Sequence, residues 1–114
     1  MPDPTDFEIY CRAAFRRRFP ARLRWTVEEQ HSPPKLNVRF DFYAYRGAKR
    51  AVYDAKWKKS ITHADVDKLL EDAAHVRARH LGFFLASGTV IPMAVRERID
   101  DAGIELVWMR SWDA

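Results

Sequence analysis

Cysteine is nearly absent from this 114-residue sequence, which carries Cys11 alone. One thiol cannot form an internal disulfide, and no zinc cluster of cysteines can be built from it. A lone cysteine suits a reducing compartment, and the cytoplasm is the expected location. Long apolar runs are also missing. The longest, LGFFLA at 81–86, is far short of the roughly 20 residues that cross a bilayer as a helix. No membrane association is therefore expected. The opening MPDPTD is acidic with no apolar stretch behind it, unlike a signal peptide. There is no internal repeat and no low-complexity segment. His31, His63, His75 and His80 do not form a metal-ligand spacing.

What is present describes one globular domain over residues 1–114. Hydrophobic residues make up 47% of the chain, enough for a core, and the 32% charged residues stay below a disordered composition. Acid falls short of base: the net charge is +4 and the pI about 9.5, which points to an anionic partner.

The periodicities give the order of elements. Residues 5–18 read as a helix, with Thr5 and Glu8 in capping-box spacing and Phe7, Cys11, Ala14 and Phe15 as its apolar stripe. Arg16, Arg17 and Arg18 suit its last turn, and Pro20 ends it. Residues 22–29 alternate Leu23, Trp25 and Val27 against Arg22, Arg24 and Thr26 as a half-buried strand. Residues 36–45 alternate again, with Val38, Phe40, Phe42 and Ala44 on one face and Asn37, Arg39, Asp41 and Tyr43 on the other. A turn at Gly47 leads into a third strand, AVYDAKWKK at 51–59. A helix follows over 62–80, with Val66, Leu69, Leu70, Ala73 and Val76 as its stripe and Ser60 or Thr62 placed to cap it. Then come a buried strand at 82–87, a helix opened by Pro92 and closed by Gly103, and a last strand at 104–109. The fold class is therefore α/β. An antiparallel meander of three strands is extended in parallel, giving a mixed sheet with helices on both faces.

The third strand poses a chemical question. Asp54 and Lys56 share one face of it, and strands disfavour both residue types. Asp41 lies six residues before Gly47 and Asp54 six after Ala48, so a hairpin turning there sets the two carboxylates opposite each other. Two adjacent carboxylates repel unless a cation or proton lies between them. Oxygen ligands of this kind suit Mg²⁺. A metal held by Asp41, Asp54 and a main-chain carbonyl can polarise a phosphate, and Lys56 can orient water or offset charge in the transition state.

These residues resemble the PD-(D/E)XK motif of the restriction-endonuclease-like nucleases: Asp41, twelve intervening residues, then Asp54-Ala55-Lys56. The order αβββαβ is similar to the core of that superfamily, here followed by a further helix and strand. The segment 82–109 resembles the tail of its Mrr-like members. The likeness spans roughly residues 5–109. Two positions differ from the commonest pattern: Phe40 precedes the first Asp where Pro is common, and the second acid is Asp rather than Glu.

The resemblance implies a Mg²⁺-dependent endonuclease, with Mn²⁺ as substitute. Asp41, Asp54 and the Ala55 carbonyl would bind the metal, Lys56 would serve the nucleophilic water, and Glu8 would be an accessory ligand. Glu8 equally suits the third position of a capping box. Lys58, Lys59, Arg39 and Arg16 are the candidates for holding nucleic acid, DNA ahead of RNA. A domain this small fits a module of a toxin or defence protein or a mobile-element enzyme, with a homodimer or an inhibitor protein as further partner. The alternative is a catalytically inactive nuclease fold that binds nucleic acid or protein. The tryptophans read as packing residues, and Cys11 as a small buried one.

Overall fold

The computed structural model describes the backbone of residues 4–31 and 40–113 and the side chains of residues 6–28 and 41–110. Helix α1 (Pro4–Arg18) leads through a 3₁₀ turn (Ala21–Leu23) to strands β1 (Thr26–His31), β2 (Phe40–Arg46) and β3 (Lys49–Lys56). Helix α2 (His63–Val76), strand β4 (His80–Ser87), helix α3 (Met93–Asp101) and strand β5 (Ile104–Asp113) follow. This is the order that the periodicities predict. The strands lie in the order β1-β2-β3-β4-β5, so β3 is central. The first two pairings are antiparallel and the last two parallel. A tight turn reverses the chain between β2 and β3, whereas the crossover helices restore its direction.

The sheet is covered on both faces. The α1 stripe of Phe7, Cys11, Ala14 and Phe15 packs on Phe42, Ala44, Ala51, Tyr53, Phe84 and Ala86. On the opposite face, Val66 and Leu69 of α2 and Val95 and Ile99 of α3 pack on Tyr43, Val52, Leu81, Phe83 and Leu85. Strand β4 contributes to both clusters, which is why its sequence is a continuous apolar run rather than an alternation.

Several boundaries differ from the sequence reading, each for a local reason. Helix α1 starts at Pro4, so Thr5 lies within the helix and is not its cap. Proline suits the first turn, where its missing amide hydrogen would have no helical partner. Residues 22–24 are not strand: they belong to the 3₁₀ turn, and Arg24 takes a left-handed φ of 70°. Leu23 is therefore exposed, while Trp25 and Val27 still reach the α1-side cluster. Helix α2 stops at Val76 because Arg77 turns left-handed (φ 56°), so His80 opens β4 instead of ending the helix. Thr62 is the α2 cap: its Oγ1 accepts the Asp65 N–H at 3.3 Å, and Asp65 accepts the Thr62 N–H at 2.9 Å. Strand β3 ends at Lys56, so Trp57, Lys58 and Lys59 lie in the following loop.

Candidate active site

Alternation along β3 divides its side chains between the two clusters. Ala51 and Tyr53 join the α1 side, and Val52 joins the α2 side. By the same alternation, Asp54 and Lys56 face α2. The β2–β3 register pairs Phe42 with Tyr53, so the next residues along, Asp41 and Asp54, stand opposite each other. The sequence spacing predicts this juxtaposition, and the hairpin delivers it.

The Ala55 N–H donates to Asp41 Oδ2 at 3.0 Å, fixing that carboxylate against β3. Lys56 Nζ lies 3.7 Å from Asp54 Oδ2 and 3.8 Å from Asp65 Oδ1. Asp54 is only 4% exposed. Burial pushes its pKa up to about 6, and repulsion from Asp41 adds to this, while Lys56 and Lys68 pull in the other direction. A carboxylate whose charge is disfavoured by its surroundings is a group that gains from a cation.

Helix α2 contributes two residues that sequence reasoning missed. Lys68 Nζ donates to Asp72 Oδ2 at 2.9 Å, and the Asp72 side chain is 2% exposed. Both charges are felt at Asp54. Burial works against the Lys68 ammonium, but its hydrogen bond to Asp72 together with the charges of Asp72, Asp54 and Asp41 outweighs this and holds its pKa above the ordinary lysine value. The signal was available: Asp72 lies three residues after Leu69 and beside Ala73, so a carboxylate interrupts the inward stripe of the helix.

The loop after β3 is tied down. Thr89 Oγ1 donates to the Lys58 carbonyl and the Val90 N–H to the Lys59 carbonyl, both at 2.8 Å, and the Ile61 N–H donates to the Val90 carbonyl at 3.0 Å. The ends of β3 and β4 are thus joined by the backbone, on the side where open α/β sheets usually bind ligands. Lys58 is not a bare cation. Its Nζ lies 2.8 Å from Asp65 Oδ2. Burial of Asp65 would raise its pKa, but Lys58, the Thr62 N–H and Lys56 outweigh that and hold it below the usual carboxylate value. Lys59 is exposed in the same loop.

The remaining candidates fall elsewhere. Glu8 sits in the first half of α1, and its charge and that of Asp41 are both felt at Cys11. Burial is the first cause of the raised Cys11 pKa. Arg16 lies eight residues further along α1, roughly 12 Å away, where it lines a groove with Phe19, Ala21, Trp25 and Val27. The structure therefore does not bring Arg16 to the carboxylates. Arg39 lies outside the described residues. Trp57 packs on Phe7 with ring centroids 6.0 Å apart and Trp25 on Phe19 at 4.8 Å, whereas Trp108 is exposed and not a core residue. The side chains of His31 and Trp112 lie outside the described set. His63 faces Arg98, with Nδ1 and Nη1 3.1 Å apart.

Among the described residues, no three His, Cys, Asp or Glu side chains gather into a metal cage. The oxygen set is smaller: two opposed aspartates, with the Ala55 carbonyl as the main-chain oxygen between Asp54 and Lys56. That set fits Mg²⁺, which takes one or two carboxylates and leaves its other positions to water and phosphate. No helix among the described residues is long and apolar enough to cross a membrane. No protein-family model, curated protein or solved structure matches the chain.

Proposed function

We propose that the chain is a Mg²⁺-dependent nuclease of the PD-(D/E)XK kind that hydrolyses phosphodiester bonds, with DNA preferred to RNA. One observation carries the reading: Asp41, next to the last pair of the β2–β3 ladder, accepts the Ala55 N–H and acts on Asp54, while Lys56 stands 3.7 Å from Asp54. The five-stranded mixed sheet and the order of its elements agree with a restriction-endonuclease-like core. Bound Mg²⁺ supplies charge that polarises the scissile phosphate and acidifies water. The protein's own groups do the rest. The Ala55 N–H sets the angle of Asp41, and Asp54 and Asp65 hold the Lys56 ammonium at the mouth of the site. There Lys56 orients water and offsets the negative charge that grows on the phosphate. Lys58 and Lys59 contact the phosphate backbone.

The test is cleavage of supercoiled plasmid, single-stranded DNA and tRNA with Mg²⁺, Mn²⁺ or EDTA, beside Lys56→Ala. Metal-dependent cutting that falls roughly 100-fold or more in the variant is expected. Equal cutting by both proteins, or cutting that survives EDTA, would sink the reading.

A second reading rests on the way Lys56 is already shared by Asp54 and Asp65. A charge cluster satisfied internally also suits an inactive domain that binds nucleic acid or protein through the same scaffold. Calorimetric titration with Mg²⁺ separates the two. The nuclease loses binding in the Asp41→Ala, Asp54→Ala double variant, whereas a scaffold gives the same trace for both.

A further inference from the structure

The opposite end of β3 carries a feature that the nuclease reading does not use. A pocket of about 450 Å³ lies between the β2–β3 turn and the segment joining α2 to β4. Its walls are Ala48, Lys49, Arg50, Arg77, Arg79 and His80. That volume falls within the roughly 300–1,000 Å³ of small-molecule sites. Four of these residues are permanent or near-permanent cations, and no carboxylate lines the pocket.

The contrast with the other cations is sharp. Arg18, Lys56, Lys58, Lys68, Arg96 and Arg98 each face a carboxylate within ion-pair distance. Among the described residues, Lys49, Arg50, Arg77 and Arg79 make no such pair. The C-terminal dipole of α2 accounts for one cation at Arg77, but not for Lys49, Arg50 and Arg79. Like charges gathered around a concave space repel, and an anion between them removes that repulsion.

The walls are also ordered in advance. The Arg50 guanidinium donates to the Tyr43 hydroxyl and lies 5.6 Å from the centre of the Tyr45 ring. The Arg79 N–H donates to the Arg50 carbonyl at 3.2 Å, which joins the two sides of the pocket. The Arg50 guanidinium, held in this way, matches the paired oxygens of a phosphate.

We propose that this pocket binds the terminal phosphates of a nucleotide, either free or at the end of a nucleic-acid strand. Arg50, Arg77 and Arg79 take the phosphate oxygens and Lys49 adds charge at the rim. Asp54 lies five steps along the strand from Lys49, roughly 17 Å, so the pocket and the carboxylate site hold different phosphates. The assignment does not depend on nuclease activity.

Calorimetric titration of the full chain in EDTA at about 50 mM salt tests it, the low salt limiting screening. The probes are ATP, AMP, adenosine, inorganic phosphate, and a short single-stranded DNA with and without a 5′-phosphate. ATP is expected to bind at least about tenfold more tightly than AMP, and adenosine not at all. The Arg77→Ala, Arg79→Ala double variant, both residues being exposed, is expected to lose about tenfold or more of ATP affinity with an unchanged thermal midpoint. The Arg96→Ala, Arg98→Ala control, which removes two cations of α3 that are already paired with carboxylates, keeps full affinity. Tighter binding of the 5′-phosphorylated DNA than of ATP, lost in the same double variant, assigns the phosphate to a strand end. ATP binding no better than adenosine, with no 5′-phosphate effect on DNA, overturns the proposal, as does an equal loss in the control variant. With metal absent from every arm, a failure here leaves the nuclease reading untouched.

Discussion

The two faces of the sheet are built on opposite terms. On the α1 face, Phe15 meets Phe19, Phe42 and Tyr53 with ring centroids 5.1–5.4 Å apart, and its neighbours are almost wholly apolar. On the α2 face, a largely aliphatic cluster of similar extent, with Tyr43 and Phe83 in it, borders Asp54 and Asp72, both nearly inaccessible to solvent. The same strand, β3, feeds both. Tyr53 goes to one side and Asp54 to the other. A buried carboxylate costs stability unless it is paired or neutralised, so nothing about packing explains why Asp54 is there. The comparison separates a face filled with aromatic rings from a face that buries two carboxylates at a cost in stability.

The sharpest way to break that comparison is Phe15→Ala. The residue is fully buried and touches four rings, so about 3–5 kcal/mol should be lost in urea unfolding. A loss under about 1 kcal/mol would mean that α1 is not part of the cooperative core.

Asp54→Asn should act in the opposite direction. Because the folded state raises the Asp54 pKa from 3.8 to about 6, the folded chain binds this proton more tightly than the unfolded chain does. Stability of the metal-free protein therefore falls as pH rises from about 4 to about 6, and the cost is complete above that. Asn resembles the protonated acid, so in EDTA the variant should gain up to about 3 kcal/mol at pH 7 and nothing at pH 4. Parallel stability curves for the two proteins across this range would remove the electrostatic cost assigned to the α2 face. The same variant should lose metal-dependent cutting.

Gly82→Ala probes how tightly the α1 face is filled. Its new methyl group would run into the Tyr53 ring, three of whose atoms crowd the space above the glycine. Overpacking of this kind costs about 1–3 kcal/mol, seen as a lower thermal midpoint. A midpoint equal to that of the parent would show that the ring has room to move.

Tyr53→Phe is the mildest of the four. It keeps the ring and removes the hydroxyl that donates to Glu105 Oε1 at 2.6 Å, beside the Arg18–Glu105 pair at 2.7 Å. About 1 kcal/mol should be lost in urea unfolding. A loss of several kcal/mol would mean that this polar edge, and not ring packing, holds α1 to the sheet.

Much of the architecture was legible in the chain because its signals are local. The period of two in β2 and β3 and the stripes of α1 and α2 each follow from one element's need to bury one side. The juxtaposition of Asp41 and Asp54 was legible too, since a tight turn fixes the register of its hairpin. Where the reading failed, single residues took conformations that no pattern announces. Arg24 and Arg77 both adopt positive φ, which most side chains avoid. The first turns 22–24 out of the strand, and the second ends α2 early.

The sequence by itself determined the element types, their order and the hairpin that opposes two carboxylates, because turn geometry and burial period act over a few residues. Only the tertiary structure decided which charges meet. Lys68 and Asp72 join Asp54 from another element, Arg16 is carried away from the carboxylates, and Lys49, Arg50, Arg77 and Arg79 collect around one pocket. The physical reason is that electrostatic interactions depend on distance and burial in space. Those are set by how helices dock on a sheet, and spacing along the chain does not record it.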